Sequence, residues 1–199
     1  MLRPLLWWLK RASDGLKSRW RNLYYRALGV RIQGYVWMRA IEISRNWPDI
    51  VLEDSVALDK GVVLLCSGPP QANKLIIRSG TYVNRYTIFD AHNQLEVGRD
   101  CMIGPHCYIT DADHGTEPGK SVKEQSMKKA SVIIEDEVWL GTNVVVLPGV
   151  RIGKGAIVGA GSVVTRDLPS NSVAFGRPAK VVRMRSPEVA PAAELVAHA

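Results

Sequence analysis

The 199-residue sequence predicts an all-β core: a parallel β-helix, built as a prism of about five stacked three-sided coils. Three observations point to it. First, fifteen apolar residues form five triplets with a step of six inside each. They are Leu52, Leu58, Leu64; Ile76, Tyr82, Ile88; Val97, Ile103, Ile109; Ile134, Leu140, Val146; and Ile152, Val158, Val164. Second, the extra lengths between triplets are six, three, nineteen and zero, so each insertion falls at one point of a three-step cycle. Third, Gly98, Gly104, Gly141, Gly153 and Gly159 each follow an inward apolar residue, where a tight corner needs backbone angles that glycine tolerates cheaply. A six-residue period fits neither an α-helix nor simple strand alternation. At 46% apolar composition, six consecutive hits from Ile134 to Val164 arise by chance about 1% of the time in a given frame.

The elements follow in chain order. Residues 1–40 read as a basic helical arm. Leu2, Leu5, Leu6 and Leu9, then Leu16, Trp20, Leu23 and Ala27, approximate one apolar stripe, and Ser13 offers an N-cap to the second segment. Pro4 and Gly15 argue for two short helices. The arm holds nine Lys or Arg against the single acid Asp14, a net +8, so the rest of a +7 chain sums to −1. Two readings of the arm stand side by side. With Trp7, Trp8 and Trp20 it lies in a membrane interface on anionic lipid. Alternatively, the stripe packs on the first coil or on a neighbouring subunit and the basic face is solvated.

Residues 41–185 make the prism domain. Residues 110–133, with the polar sequence TDADHGTEPGKSVKEQSMKKAS, form a loop extruded from one corner, and long polar loops on rigid scaffolds tend to carry function. SVAFGRPAKVVRMR reads as a last strand, and residues 186–199 as a Pro- and Ala-rich tail. No apolar run reaches membrane-span length, and the start MLRPLLWWLKR makes a poor signal peptide. Cys66, Cys101 and Cys107, an odd set without framework spacing, read as buried free thiols in a reducing cytosol. The charge sits on a short arm rather than on the body, which argues against nucleic-acid binding.

His114 is the first candidate for chemistry. It lies in DADHG at the root of the extruded loop, near Asp111 and Asp113, and an imidazole beside a carboxylate can take a proton from an alcohol. A solvated loop histidine is the plain alternative.

Residues 131–183 resemble the C-terminal half of the hexapeptide-repeat O-acyltransferases, above all the maltose and galactoside acetyltransferases and their relatives in polysaccharide biosynthesis. The resemblance rests on VWLG at 138–141, PGV at 148–150, IGKGAIVGAGSVV at 152–164 and GRPAKVVR at 176–183, and it extends over roughly 50–185. It implies a left-handed parallel β-helix of about five coils, with an N-terminal helical arm and a short C-terminal tail. It also implies a cytoplasmic homotrimer that moves an acetyl group from acetyl-CoA to a sugar hydroxyl, with no metal. In that family pattern His114 is the general base. Asn84 contacts the acceptor. An acidic acceptor contact is expected just after it, for which Asp90 is nearest, although ungapped counting from Gly98 lands on Ala91. Trp139 lines the channel. Gly141, Gly159 and Ala160 border the pantetheine arm, while Lys180 and Arg183, joined by Arg166, meet the nucleotide phosphates. The basic arm suits a lipid-linked saccharide acceptor at the inner membrane face. Two alternatives keep the fold: a zinc-dependent carbonic-anhydrase-like enzyme, and a non-catalytic scaffold. The former is disfavoured because the chain has only His92, His106, His114 and His198, with no pair five apart.

Overall fold

The computed structural model describes residues 2–186, so the tail expected at 186–199 lies outside the described residues apart from Ser186. It is a left-handed parallel β-helix of six coils rather than about five. The first face stacks Arg31–Ile32, Ile50–Leu52, Leu75–Ile77, Leu95–Val97, Val132–Ile134 and Arg151–Ile152. The second stacks Trp37–Met38, Ala57–Leu58, Tyr82–Val83, Met102–Ile103, Trp139–Leu140, Ile157–Val158 and Ser172–Gly176, and it ends with Ala179–Met184, which runs antiparallel. The third stacks Glu42–Ile43, Val63–Cys66, Ile88–Ala91, Tyr108–Thr110, Val145–Val146 and Val163–Val164. The extra coil begins at Arg31, inside the 1–40 segment read from sequence as arm.

The inward column runs as expected in four of the five triplets, whose members are fully buried or nearly so. The second triplet is shifted by one residue: Ile77, Val83 and Phe89 are the buried set, Ile76 and Ile88 are half-buried, and Tyr82 is exposed. At each of these three places two apolar residues are adjacent, so the period finds the pair without choosing its inner member. The corner chooses it. A left-handed residue stands three positions before each inward residue of these triplets on the second and third faces, as at Gly80 before Val83, Tyr86 before Phe89 and His106 before Ile109.

The expected role of the repeated glycines changes accordingly. Gly98, Gly104, Gly141, Gly153 and Gly159 are absent from the set with positive φ. Their task is close stacking. A Cβ on Gly98 would stand 2.5 Å from the Asp136 amide nitrogen, and one on Gly141 would stand 2.7 Å from that of Ala160. Coils a few ångströms apart leave no room there for a side chain.

The insertions do fall at one place, the corner between the third and first faces. It holds residues 44–49, 67–74, 92–94, 111–131 and 147–150. The longest is ordered rather than a plain loop, since Ala112–His114 pairs antiparallel with Met127–Lys129. The Gln125 side chain closes its tip, accepting from the Glu117 amide at 2.8 Å and donating to the Glu117 and Lys120 carbonyls.

Residues Leu2–Ala27 form one helix, α1, not two. Pro4 falls in the first turn, where its missing N–H costs nothing, and Gly15 is buried on the side of the helix that faces the prism. The packing face of α1 is not its apolar stripe. The strand Trp37–Met38 ends its sheet, leaving edge groups that need partners. Asn22 accepts from the Val36 amide at 3.1 Å and donates to the Val36 carbonyl at 2.7 Å. The Ser18 hydroxyl accepts from the Met38 amide at 2.9 Å and from the Tyr35 hydroxyl at 2.8 Å. Polar residues therefore face inward because they cap a sheet edge.

Candidate active site

His114 ends the inner strand of the extruded hairpin, opposite Met127, with an exposed side chain. The hairpin root is held by Asp111, which is fully buried. Its two carboxylate oxygens accept from the His92 amide at 2.6 Å and the Asn93 amide at 2.8 Å. The same corner gathers Asp90, whose carboxylate accepts from the Tyr108 hydroxyl at 2.9 Å and lies 3.2 Å from His92 Nε2. Burial, followed by the hydrogen bond to Asp90 and then its charge, pushes the Tyr108 phenol above its ordinary range. Tyr108 is thus held protonated, as a donor to Asp90. Sequence reasoning missed His92, Tyr108 and the anchoring role of Asp111. The signal for the last was present, because a carboxylate next to the start of an insertion is a natural cap for nearby amides.

Asn84, Gly141 and Gly159 meet at a different corner, between the second and third faces. Successive coils bond there from the Asn84 amide to Ile103, from Gly104 to Leu140, from Gly141 to Val158 and from Gly159 to Ala174. Asn84, Gly104, Gly141 and Gly159 therefore form one column, with exposed Ala160 beside it. The Asn84 side-chain oxygen is used locally, accepting from the Arg85 amide at 2.8 Å. Trp139 projects from the second face, 49% exposed, in register between Met102 and Ile157.

Lys180 and Arg183 lie on the closing antiparallel strand, opposite Phe175 and Val173. Simple alternation would send residues three apart to opposite faces. The register shift between Val173 and Ala174 restores them to one side. Ala174 is buried, so Val173 and Phe175 point outward and their partners Arg183 and Lys180 point outward with them. Arg166 is exposed in the segment that leaves the third face after Val164.

Within one chain, then, Asn84, Gly141, Gly159 and Ala160 come together, while His114 and Asp90 stand across the third face from them. Among the described residues no group of three or more His, Cys, Asp or Glu side chains is placed to hold a metal ion. The cysteines are buried, and burial pushes Cys66 up to about 12 and Cys101 up to about 11. Cys101 and Cys107 fill corners, with Sγ 3.1 Å from the Glu135 and Gly141 carbonyls of the next coil.

Residues 131–166 match the family model of the bacterial transferase hexapeptide, six repeats. The chain is 44% identical over 105 residues to a galactoside O-acetyltransferase of Lactococcus lactis, an alignment spanning 53% of this chain and 50% of that protein. It is 38% identical over 109 residues to an Escherichia coli protein named as a lipopolysaccharide biosynthesis O-acetyl transferase, spanning 51% of this chain and 56% of that one. The chain thus spans about half the length of these curated relatives. Among solved structures, a hexapeptide-repeat acetyltransferase of Vibrio cholerae complexed with acetyl coenzyme A is similar at a TM-score of 0.55 and 27% identity. That match covers 64% of this chain and 72% of the other.

Proposed function

We propose that this chain, a hexapeptide-repeat protein, is an acetyl-CoA-dependent O-acetyltransferase acting on a sugar hydroxyl in cell-surface polysaccharide or lipopolysaccharide biosynthesis. One observation carries the reading. The column of Asn84, Gly104, Gly141 and Gly159 runs along a corner toward Lys180 and Arg183, which share one side of the closing ribbon. Small residues let an extended pantetheine approach the backbone, and the two cations meet phosphates at its end. Arg166 adds charge, and Trp139 forms the channel wall.

In this reading His114 is the general base. It takes the proton of the acceptor hydroxyl as that oxygen attacks the thioester carbonyl. The carbon–sulfur bond breaks, and coenzyme A leaves as the thiol with the proton, without an acyl-enzyme. Asn84 and Asp90 position the acceptor.

The two halves of the site stand on different corners, so a ring of chains in which one open corner meets the neighbour's tight corner would complete it. A homotrimer closes such a ring. The outward register of Tyr82, Met102 and Trp139, exposed and apolar on the second face, supports burial between subunits. We place the enzyme at the cytoplasmic membrane face, where a lipid-linked saccharide acceptor sits.

The test is acetyl-CoA binding by isothermal titration calorimetry. Saturable binding by the wild type, weakened about tenfold in Arg183→Ala through loss of a charge-assisted contact, is the expected result. An unchanged Kd removes Arg183 from phosphate binding. No binding to the folded assembly defeats the transferase reading.

A further inference from the structure

Once α1 is docked, its apolar stripe faces solvent. Leu16 and Trp20 are each 68% exposed, Leu23 is 61% exposed, and Tyr24 and Ala27 share that outer surface. Gly15, Ser18, Asn22 and Tyr25 are the buried side. The first coil is therefore excluded as the partner of the stripe. Cations border it on both sides: Lys10 and Lys17 along one edge with Arg21, which donates to the Met38 carbonyl, and along the other Arg19, over the Tyr35 ring, and Arg26, which donates to the Ile32 and Gly34 carbonyls. Across Leu2–Ala27 seven basic residues face one acid, Asp14. At its N-terminal half α1 stands off the prism and forms a cleft of about 720 Å³ lined by Trp7, Trp8, Arg11, Arg19, Trp37 and Arg39. Arg11 stacks over Trp7 there, 5.3 Å from the ring centroid.

We propose that α1 is an in-plane membrane helix whose outer face lies on an anionic bilayer. The stripe enters the boundary between headgroups and acyl chains, Lys10 and Lys17 meet lipid phosphates, and the arginines add to the positive field of the face. Charge decides between this occupant and a second copy of the chain: two α1 stripes meeting would bring strongly cationic helices together, and the rest of the chain, at a net −1 outside residues 1–40, holds no large opposite charge to draw α1. No helix of the described residues is long and apolar enough to cross a membrane, so α1 lies on the surface. The polar bonds of Ser18 and Asn22 to the first coil hold the stripe outward before any membrane is met, which makes the surface pre-formed. This deepens the placement at the membrane face. It is tested without donor or acceptor, so it can fail while acyl transfer stands, and the reverse.

The experiment is co-sedimentation of the full chain with vesicles of phosphatidylglycerol and phosphatidylcholine, compared with phosphatidylcholine alone. The variants are the double substitution Trp20→Glu with Leu23→Glu, both sites being exposed, and Val122→Glu, an exposed apolar residue away from α1. Binding to the anionic vesicles that falls about tenfold or more in the double variant and persists in Val122→Glu is the expected result. Equal binding by the double variant, or no preference for anionic lipid in the wild type, overturns the proposal. So does a double variant of lower mass by sedimentation equilibrium without vesicles, since the stripe would then be a subunit interface.

Discussion

The tight corner between the second and third faces and the open corner between the third and first turn the same chain by different means. At the tight corner the backbone does the work: a residue whose neighbour in the next coil leaves no space for a Cβ, then, two positions on, one left-handed residue. At the open corner side chains do it. Asp111 caps two amides, and the fully buried Lys74 sets its Nζ 3.0 Å from Asp49 Oδ2, an ion pair by distance rather than an aligned hydrogen bond. That ammonium also donates to the Ser67 and Pro69 carbonyls at 2.9 and 2.8 Å. A corner fixed by backbone must repeat, so it builds a groove. A corner fixed by side chains is free to vary, so it can hold a reacting group such as His114.

The largest effect should come from the open corner's chemistry. His114→Ala is expected to lower kcat by about 10²–10⁴-fold with acetyl-CoA binding nearly intact, as removal of a general base would. Steady-state kinetics beside calorimetry measures both. Little loss of kcat would place the base elsewhere, and His92, held near Asp90, would be the next residue to substitute.

Next comes the open corner's frame. Asp49→Ala would leave the Lys74 charge buried without its carboxylate, at a cost of about 3–5 kcal/mol. Denaturant unfolding reads it. A loss below about 1 kcal/mol, the range of exposed pairs, would mean that this corner is held by its backbone after all.

The same contrast explains what could be read from sequence. The triplets starting at Leu52, Val97, Ile134 and Ile152 were legible because the six-residue step taken there starts on the inward member. The triplet Ile77, Val83, Phe89 was blurred because apolar residues occupy both the inner position and the one before it. Gly80, three before Val83, carried the missing information. The stripe of α1 was legible and its direction was not. Helical periodicity records which residues share a face, whereas the docking face was set by the unpaired edge of Trp37–Met38 and satisfied by Ser18 and Asn22. At the site, the glycines that follow inward residues were readable from spacing, whereas Asn84 came only from the family resemblance. The pairing of Lys180 with Arg183 on one side was not, because it depends on a bulge that no residue pattern announces.

The smallest expected effect probes the tight corner directly. Gly104 has no positive φ, so Gly104→Ala carries no backbone penalty of that kind, and intrinsic preferences favour the alanine. The only cost is space: the new Cβ would stand 2.6 Å from the Gly141 carbonyl carbon and 2.7 Å from its oxygen. Both are backbone atoms in a stacked coil and cannot rotate away, so the coils must part locally, at about 1–3 kcal/mol for overpacking. Gly119, in the extruded hairpin, is the complement. An added Cβ there meets nothing within 4 Å, and its φ of 86° leaves only the left-handed penalty, about 1 kcal/mol. Thermal unfolding of both variants compares the corners on one scale. A Gly104→Ala protein as stable as the Gly119→Ala protein would show that the stacked coils can breathe at the tight corner. The groove assigned to pantetheine would then be held by side chains outside that column rather than by the spacing of its backbone.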